Sequence, residues 1–266
     1  MDRRDVVGWI NGGGESVHAS TGVAGGRLAR FVRHGLDGLA FATPFTGFYR
    51  GWPGGNATVI RIGMLPGHGN GVGLGMKLWL LRHAPVLLAP GFCYGVSDVA
   101  ADAMATQQVA LDFSSHPAEG SLLYTSPSLR AKQLAQVLHS KRHDLQEPVV
   151  DQRLCEMDFG CWEMHPWEKI PRTAIDAWVA DFPDHRFGGK ESTQEVIDRV
   201  AWALGAMKKL NVPEAVWVTH AGVIKSVQFL IANAGRRQIS SAEEWPMVSL
   251  PFGAWIEVDI SAYESW

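Results

Sequence analysis

From residue 77 onward, short apolar runs of strand length alternate with segments of helical periodicity. The runs predict strands at 77–81, 122–125, 148–150, 215–219 and 254–260. Helices are predicted from 126 through 138, over 191–210 and over 221–233, the second from the spacing of Val196, Val200, Leu204 and Met207. Strands that alternate with helices are typical of an α/β protein, here a three-layer α/β/α sandwich with a mostly parallel central sheet.

The helix that follows the second strand carries a local start signal. Ser126 is predicted to be its N-cap residue and Pro127 its first helical residue, because serine oxygens accept from free N–H groups there and proline lacks one. Parallel strands end at one edge of a sheet, so residues just after them are expected to border the ligand site.

The first 75 residues differ sharply from the rest in composition. They hold 19 of the 29 glycines and no lysine, whereas all eight lysines lie from Lys77 onward. Glycine at this density loses much backbone entropy on ordering, so residues 1–75 are predicted to be a mostly disordered extension, with one short helix near 26–39. Residues 76–266 form the predicted domain. The extension is either a genuine segment or an artefact of the chosen start codon, with Met76 as the natural start.

Composition and charge narrow the class of protein. The net charge of -3 gives no sign of binding to nucleic acid or to an anionic membrane. The three cysteines have no Cys-x-x-Cys spacing, and a small odd number of thiols favours a reducing compartment. No run of 18 apolar residues and no secretory signal is present. We therefore expect a cytoplasmic protein.

Three strand ends carry residues suited to phosphate. They read LRHAP at 81–85, TSPSLRA at 125–131 and VTHAG at 218–222. If these edges adjoin, Arg82, His83, Arg130 and His220 converge on one pocket. Arginine presents a fork that matches phosphate oxygens, and an imidazole can act as a nucleophile toward phosphorus.

These motifs together resemble those of the histidine phosphatase, or phosphoglycerate-mutase-like, superfamily. LRHAP resembles its first Arg-His signature, SPSLRA its second arginine motif and THAGVI its second histidine motif. LCEMDFGCWE at 154–163 resembles the motif that carries its acid, and GGKES at 188–192 resembles the start of its long helix. The five motifs keep the family order across residues 77 to about 260, which makes the combined signal specific.

The resemblance implies a fold and a set of roles. It implies the phosphoglycerate-mutase-like sandwich, with His83 as the nucleophile that becomes phosphohistidine. Arg82, Arg130 and His220 would bind the phosphoryl oxygens. Glu156 would protonate the leaving oxygen and then help to activate water, with Glu163 as the alternative acid. The resemblance implies no metal and no cofactor, and a small phosphate ester as the partner; oligomeric state stays open.

The loop after His83 departs from the family pattern. Ala84 and Pro85 stand where the family has Gly-Glu, and the family asparagine that follows is absent. The segment APGFCYGVSD at 89–98 resembles the alpha-ribazole phosphatase branch, which acts late in cobalamin biosynthesis, and by that resemblance Tyr94 and Gly95 would contact substrate. A phosphoglycerate mutase, a phosphoprotein phosphatase and a silent phosphate-binding module remain alternatives.

Other sequence features could also be functional. Val32-Arg33-His34-Gly35 spells the family signature, but no buried strand precedes it and no partner motif follows at the right distance. His139 and His143 have a spacing that could bind zinc, yet they lie at a predicted helix end, where cations complement the helix dipole. Trp162, Trp167 and Trp178 are candidates either for a substrate pocket or for core packing.

Overall fold

The computed structural model describes residues 61–62, 75–247, 250–261 and 263. Its strands are β1 (Arg61–Ile62), β2 (Lys77–Arg82), β3 (Leu122–Thr125), β4 (Val149–Val150), β5 (Glu214–Thr219) and β6 (Trp255–Asp259). Its α-helices are α1 (Ala103–Phe113), α2 (Leu129–Lys141), α3 (Arg172–Ala180), α4 (Thr193–Lys209) and α5 (Ala221–Ala232). The order of elements is the alternating one that the sequence predicts.

One mixed sheet organises the described residues, with the strand order β1-β6-β2-β5-β3-β4. The central strands β2, β5 and β3 are mutually parallel, with Arg82 opposite Thr219 and Thr125 opposite Val218. β6 runs antiparallel to β2. The carboxyl ends of β2, β5 and β3 therefore lie side by side at one edge of the sheet.

The sheet separates two apolar cores, which confirms the predicted sandwich of three layers. Side chains alternate along a strand, so Leu78 and Leu80 of β2 face one core while Trp79 and Leu81 face the other. The first core includes α4 and α5, and the second includes α1 and α2. Every residue of β5 is buried, as expected for the centre of a sheet covered on both faces.

The start of α2 differs from the prediction. The helix begins at Leu129 with Ser128 at the N-cap position, whereas Ser126 and Pro127 lie outside it. The reason is a long-range contact, because the Ser126 hydroxyl oxygen lies 2.8 Å from Nε2 of His220 and does not cap the helix. Helices α1 and α3 were not predicted from the sequence.

The remaining strands and the long helix agree with the sequence patterns within one or two residues at each end. Helix α4 begins after Ser192, whose hydroxyl accepts from the Glu195 N–H while the Glu195 carboxylate accepts from the Ser192 N–H. This reciprocal capping box fixes where the helix starts.

The amino-terminal segment contributes one short strand. Arg61–Ile62 pairs in parallel with β6, at Glu257 and Val258. The helix predicted near 26–39, and the disorder predicted for most of residues 1–75, fall outside the described residues. Within the described ranges, no helix combines the length and the apolar character needed to cross a membrane.

Candidate active site

Three neighbouring strand ends bring the predicted residues together. Arg82 ends β2 and His83 follows it, Ser126 follows β3, and His220 follows β5. Backbone hydrogen bonds continue past the strands, from the His83 N–H to the Thr219 carbonyl (3.1 Å) and from the Ser126 N–H to the Val218 carbonyl (3.0 Å). The sheet register thus places both histidines on adjacent positions, with ring centroids 5.1 Å apart.

The His83 ring is buried and oriented by the main chain. Its Nδ1 lies 2.8 Å from the Ala84 carbonyl oxygen. A carbonyl can only accept, so Nδ1 carries the proton and Nε2 carries the lone pair. Burial, followed by the positive charges of Arg130 and Arg82, holds the pKa of His83 well below its usual range. His83 is therefore neutral at physiological pH, with Nε2 able to attack an electrophile.

Arg82 lies beside the nucleophile candidate. Its Nη1 donates to the Leu250 carbonyl (2.5 Å), and its guanidinium carbon lies 4.0 Å from the centroid of the Phe252 ring. The same ring lies 5.4 Å from that of His83, so Phe252 contacts both residues. Burial lowers the pKa of Arg82 to about 10, which still leaves the side chain charged at neutral pH.

Arg130 reaches the site from the first turn of α2 and is fully buried. Nη1 donates to the Ser97 carbonyl (2.8 Å) and Nη2 to the Gly95 carbonyl (2.5 Å). The Tyr94 ring centroid is 5.2 Å from the guanidinium carbon. The loop predicted to contact substrate therefore positions Arg130, and the predicted binding roles of Tyr94 and Gly95 stay predictions.

His220 is held by two serine hydroxyls. Its Nε2 lies 2.8 Å from Oγ of Ser126 and 3.2 Å from Oγ of Ser128. The ring is fully buried, and burial together with Arg130, His83 and Arg82 keeps its pKa well below the usual range. Ser126 and Ser128 are site residues that were not predicted. Their sequence context is that of a helix start, which gives no sign of a hydrogen bond to His220.

Glu156 lies over the first turn of α5. Oε2 accepts from the Gly222 N–H (3.1 Å), and Oε1 accepts from the Met157 N–H (3.1 Å). A Cβ on Gly222 would lie only 2.2 Å from Oε1, so position 222 needs glycine for this carboxylate to fit. Glu156 is 8% exposed and raises the pKa of both Arg82 and Arg130 by its charge. Glu156 is the buried carboxylate of this site, whereas Glu163 is only partly buried.

Glu163, the alternative acid, has a different environment. Its two oxygens accept from the N–H groups of Phe159, Gly95, Val96 and Ser97 at 2.9–3.2 Å, and from the Ser97 hydroxyl at 2.5 Å. A carboxylate with this many donors has no lone pair directed at a ligand. Glu163 therefore fixes the 95–97 loop, whose carbonyl groups in turn hold Arg130.

The electrostatics of the pocket favour an anion. Two buried guanidinium groups and two buried neutral imidazoles meet there, and Glu156 is the acidic group whose charge bears on both arginines. Buried positive charge is stabilised by a partner of opposite sign, and a planar guanidinium fits phosphoryl oxygens well. The arrangement can bind a tetrahedral anion and present Nε2 of His83 to its central atom.

Comparison with known proteins identifies the family. The sequence description of the histidine phosphatase superfamily (branch 1) matches residues 78–250, which is more than half of the chain. The chain belongs to the histidine phosphatase superfamily. No curated protein matches the chain in sequence.

Solved structures of similar fold agree with this membership. A mycobacterial glucosyl-3-phosphoglycerate phosphatase has a TM-score of 0.58 and 20% identity, over 69% of this chain and 89% of that one. An Escherichia coli K-12 protein described as a candidate alpha-ribazole-5'-P phosphatase has a TM-score of 0.57 and 24% identity, over 70% and 91%. A Thermus thermophilus protein, TTHB049, has a TM-score of 0.51 and 25% identity, over 69% and 94%.

Where the structure describes them, the competing motifs do not join this site in this member of the superfamily. His34, in the second Arg-His sequence, is outside the described residues. His139 and His143 lie near the end of α2, with ring centroids 5.9 Å apart, and no third ligand joins them to form a metal cluster within the described ranges. Trp167 and Trp178 stack on Phe187 in the core, and Trp178 also lines a small cavity beside Glu156.

Proposed function

We propose that the chain is a phosphomonoester hydrolase that works through a phosphohistidine at His83. The observation that carries the proposal is the neutral His83 ring, whose Nδ1–H is bound to the Ala84 carbonyl, between two buried arginines. Membership of the histidine phosphatase superfamily and the phosphatases among its structural neighbours support it.

In the first step, Nε2 of His83 attacks phosphorus and the bond to the leaving oxygen breaks. Arg82 and Arg130 neutralise the charge on the phosphoryl oxygens, and they are fixed before substrate arrives because carbonyl groups hold both. Glu156 donates its proton to the leaving oxygen, which allows an alcohol to depart.

In the second step, water attacks the phosphohistidine, the P–N bond breaks and the carboxylate of Glu156 takes the proton of the water. His220, which lies beside His83 and is held by Ser126 and Ser128, stabilises the transferring group. The cycle returns His83 to its neutral form and Glu156 to its acid form, so no proton is gained or lost by the protein.

The substrate class proposed is a small phosphorylated metabolite, with alpha-ribazole 5'-phosphate as the first to assay. The support is the sequence of the 89–98 loop, together with the fold likeness to the E. coli protein. Glucosyl-3-phosphoglycerate is the second candidate substrate, because one protein of similar fold is a mycobacterial glucosyl-3-phosphoglycerate phosphatase.

The test compares the wild type with His83→Ala on para-nitrophenyl phosphate in the presence of a chelator. We expect the wild type to release phosphate and the variant to lose at least about 1,000-fold in rate. A matched control is His116→Ala, since His116 stacks on Phe113 away from the site. A variant at His83 that keeps its rate contradicts the proposal.

A further inference from the structure

Lys225 is a buried cation that the proposed mechanism does not use. It lies on α5 one turn after Gly222, and it is 1% exposed. Its Nζ has no hydrogen-bond partner within the part of the chain that the structure describes. Burying an ammonium group without a partner costs considerable free energy, so its retention in an otherwise largely apolar helix calls for an explanation.

Lys225 and Glu156 border the same small cavity. The cavity measures about 30 Å³, and its remaining walls carry no ionisable side chain: they are mostly apolar, with Phe159, Trp178 and Trp245 among them. A buried water needs about 10–15 Å³, so one or two waters fit. Side chains on a helix lean toward its N-terminus, which directs Lys225 back toward the first turn of α5 and the carboxylate bound to it.

The charges around Lys225 come from two elements. Burial and the positive charge of Arg82 on β2 lower the pKa of Lys225 to about 7, while Glu156 opposes them. The ammonium group can therefore release and regain a proton near neutral pH, which an arginine at this place could not do. Glu156 is the acidic side chain on the wall of the cavity, and it is the residue to which we assign the proton for the leaving group.

We propose that Lys225 is a positioning residue that supplies Glu156 with its proton through water in the cavity they share. The proposal rests on the phosphatase function proposed above. Before the transfer the pair is ammonium and carboxylate. When a phosphate dianion binds beside Arg82 and Arg130, negative charge next to Glu156 favours transfer, and an N–H proton of Lys225 becomes the O–H proton of Glu156. The products are a neutral amine and a neutral carboxyl, so charge and protons balance.

The test uses two substrates that differ in their need for a proton. Para-nitrophenolate leaves without protonation, whereas an alkyl alkoxide does not. For Lys225→Met we expect kcat on an alkyl phosphate to fall about 30-fold or more, with kcat on para-nitrophenyl phosphate kept within about threefold. Glu156→Gln should lose the alkyl phosphate at least as strongly, and it should also lose part of its aryl rate, because Glu156 takes the proton of the attacking water with either substrate. The double variant should lose no more alkyl activity than Glu156→Gln alone, because Lys225 acts through Glu156.

Lys225→Arg separates proton supply from charge. Arginine keeps the positive charge but does not give up its proton, so we expect it to fail on the alkyl phosphate as methionine does. Full alkyl activity in Lys225→Arg or Lys225→Met overturns the proposal, as does an equal loss on both substrates in a methionine variant at least as stable as the wild type. If the wild type hydrolyses neither substrate, it is the proposed function that has failed. The pH profile of the wild type is a second measurement: its alkyl rate should fall above about pH 7, and its aryl rate should not.

Discussion

Replacing Glu163 by glutamine tests whether this carboxylate holds a loop or donates a proton. In the structure one oxygen accepts from the N–H groups of Gly95 (2.9 Å) and Ser97 (3.1 Å) and from the Ser97 hydroxyl (2.5 Å). Glutamine keeps one carbonyl oxygen, but its NH₂ group cannot accept from an N–H. At least two hydrogen bonds to a charged acceptor are lost, each worth about 1.5–3 kcal/mol, so the free energy of unfolding should fall by about 3–6 kcal/mol.

The kinetic effect of the same change follows from Arg130. The carbonyl groups of Gly95 and Ser97 bind its two terminal nitrogens, so a loosened loop misplaces the guanidinium. Alkyl and aryl phosphates both need that group, and we expect kcat/KM to fall about 10-fold or more for both. Glu156→Gln is the matched comparison: we expect a loss of about 100-fold on the alkyl phosphate and a smaller loss on the aryl phosphate, for which only the activation of water is affected.

Urea unfolding and steady-state kinetics on both variants give the result. If Glu163→Gln unfolds at the same urea concentration as the wild type and loses only the alkyl phosphate, Glu163 is the acid and the reasoning is refuted. Equal behaviour of the two glutamine variants would also refute it, because the structure gives the two carboxylates different partners.

Three further predictions concern the same site. Gly222→Ala places a Cβ 2.2 Å from the Glu156 Oε1 position, so we expect kcat on alkyl phosphates to fall about 10–100-fold, and further than kcat on aryl phosphates. Equal alkyl rates for glycine and alanine would contradict this. Burial holds the pKa values of His83 and His220 well below 6.5, so as the pH falls below that value the unfolded chain takes up protons that the folded chain does not. The free energy of unfolding should therefore fall by up to about 1.4 kcal/mol per histidine per pH unit. Urea unfolding curves that coincide between about pH 7 and pH 5 would argue against this. Burial lowers the pKa of Lys225 from the ordinary 10.5 to about 7, so between these pH values the unfolded chain holds a proton on Lys225 that the folded chain has lost, and the free energy of unfolding rises with pH. Lys225→Met should raise the free energy of unfolding at neutral pH by up to about 5 kcal/mol and abolish its increase between about pH 7 and 10.5. A methionine variant less stable than the wild type would contradict this.

The convergence of the site was predictable from sequence because it depends on strand ends. Arg82, His83 and His220 each lie at the end of an apolar run or just after it, and parallel strands put such positions at one edge. The sequence does not state that β2, β5 and β3 are neighbours, but right-handed crossovers through helices leave few other arrangements.

What local patterns could not predict depends on contacts between distant residues. Ser126 has the sequence context of a helix cap, yet His220, 94 residues away, takes its hydroxyl. Glu156 and Glu163 belong to one short motif, and only the N–H groups of the 95–97 loop distinguish the anchoring carboxylate from the acid. Lys225 did have a signal, since it is the one charged residue in the sequence of α5, AGVIKSVQFLIA.

Capture of the phosphoenzyme tests the role of His83 as the nucleophile most directly. Wild type and His83→Ala would be mixed with radiolabelled phosphate ester, quenched rapidly in alkali and digested for peptide mapping, since a phosphohistidine is stable in alkali and labile in acid. We expect a label on the peptide that contains His83 in the wild type, lost on acid treatment, and no label in the variant. An acid-stable label, or a label at another residue, would contradict it.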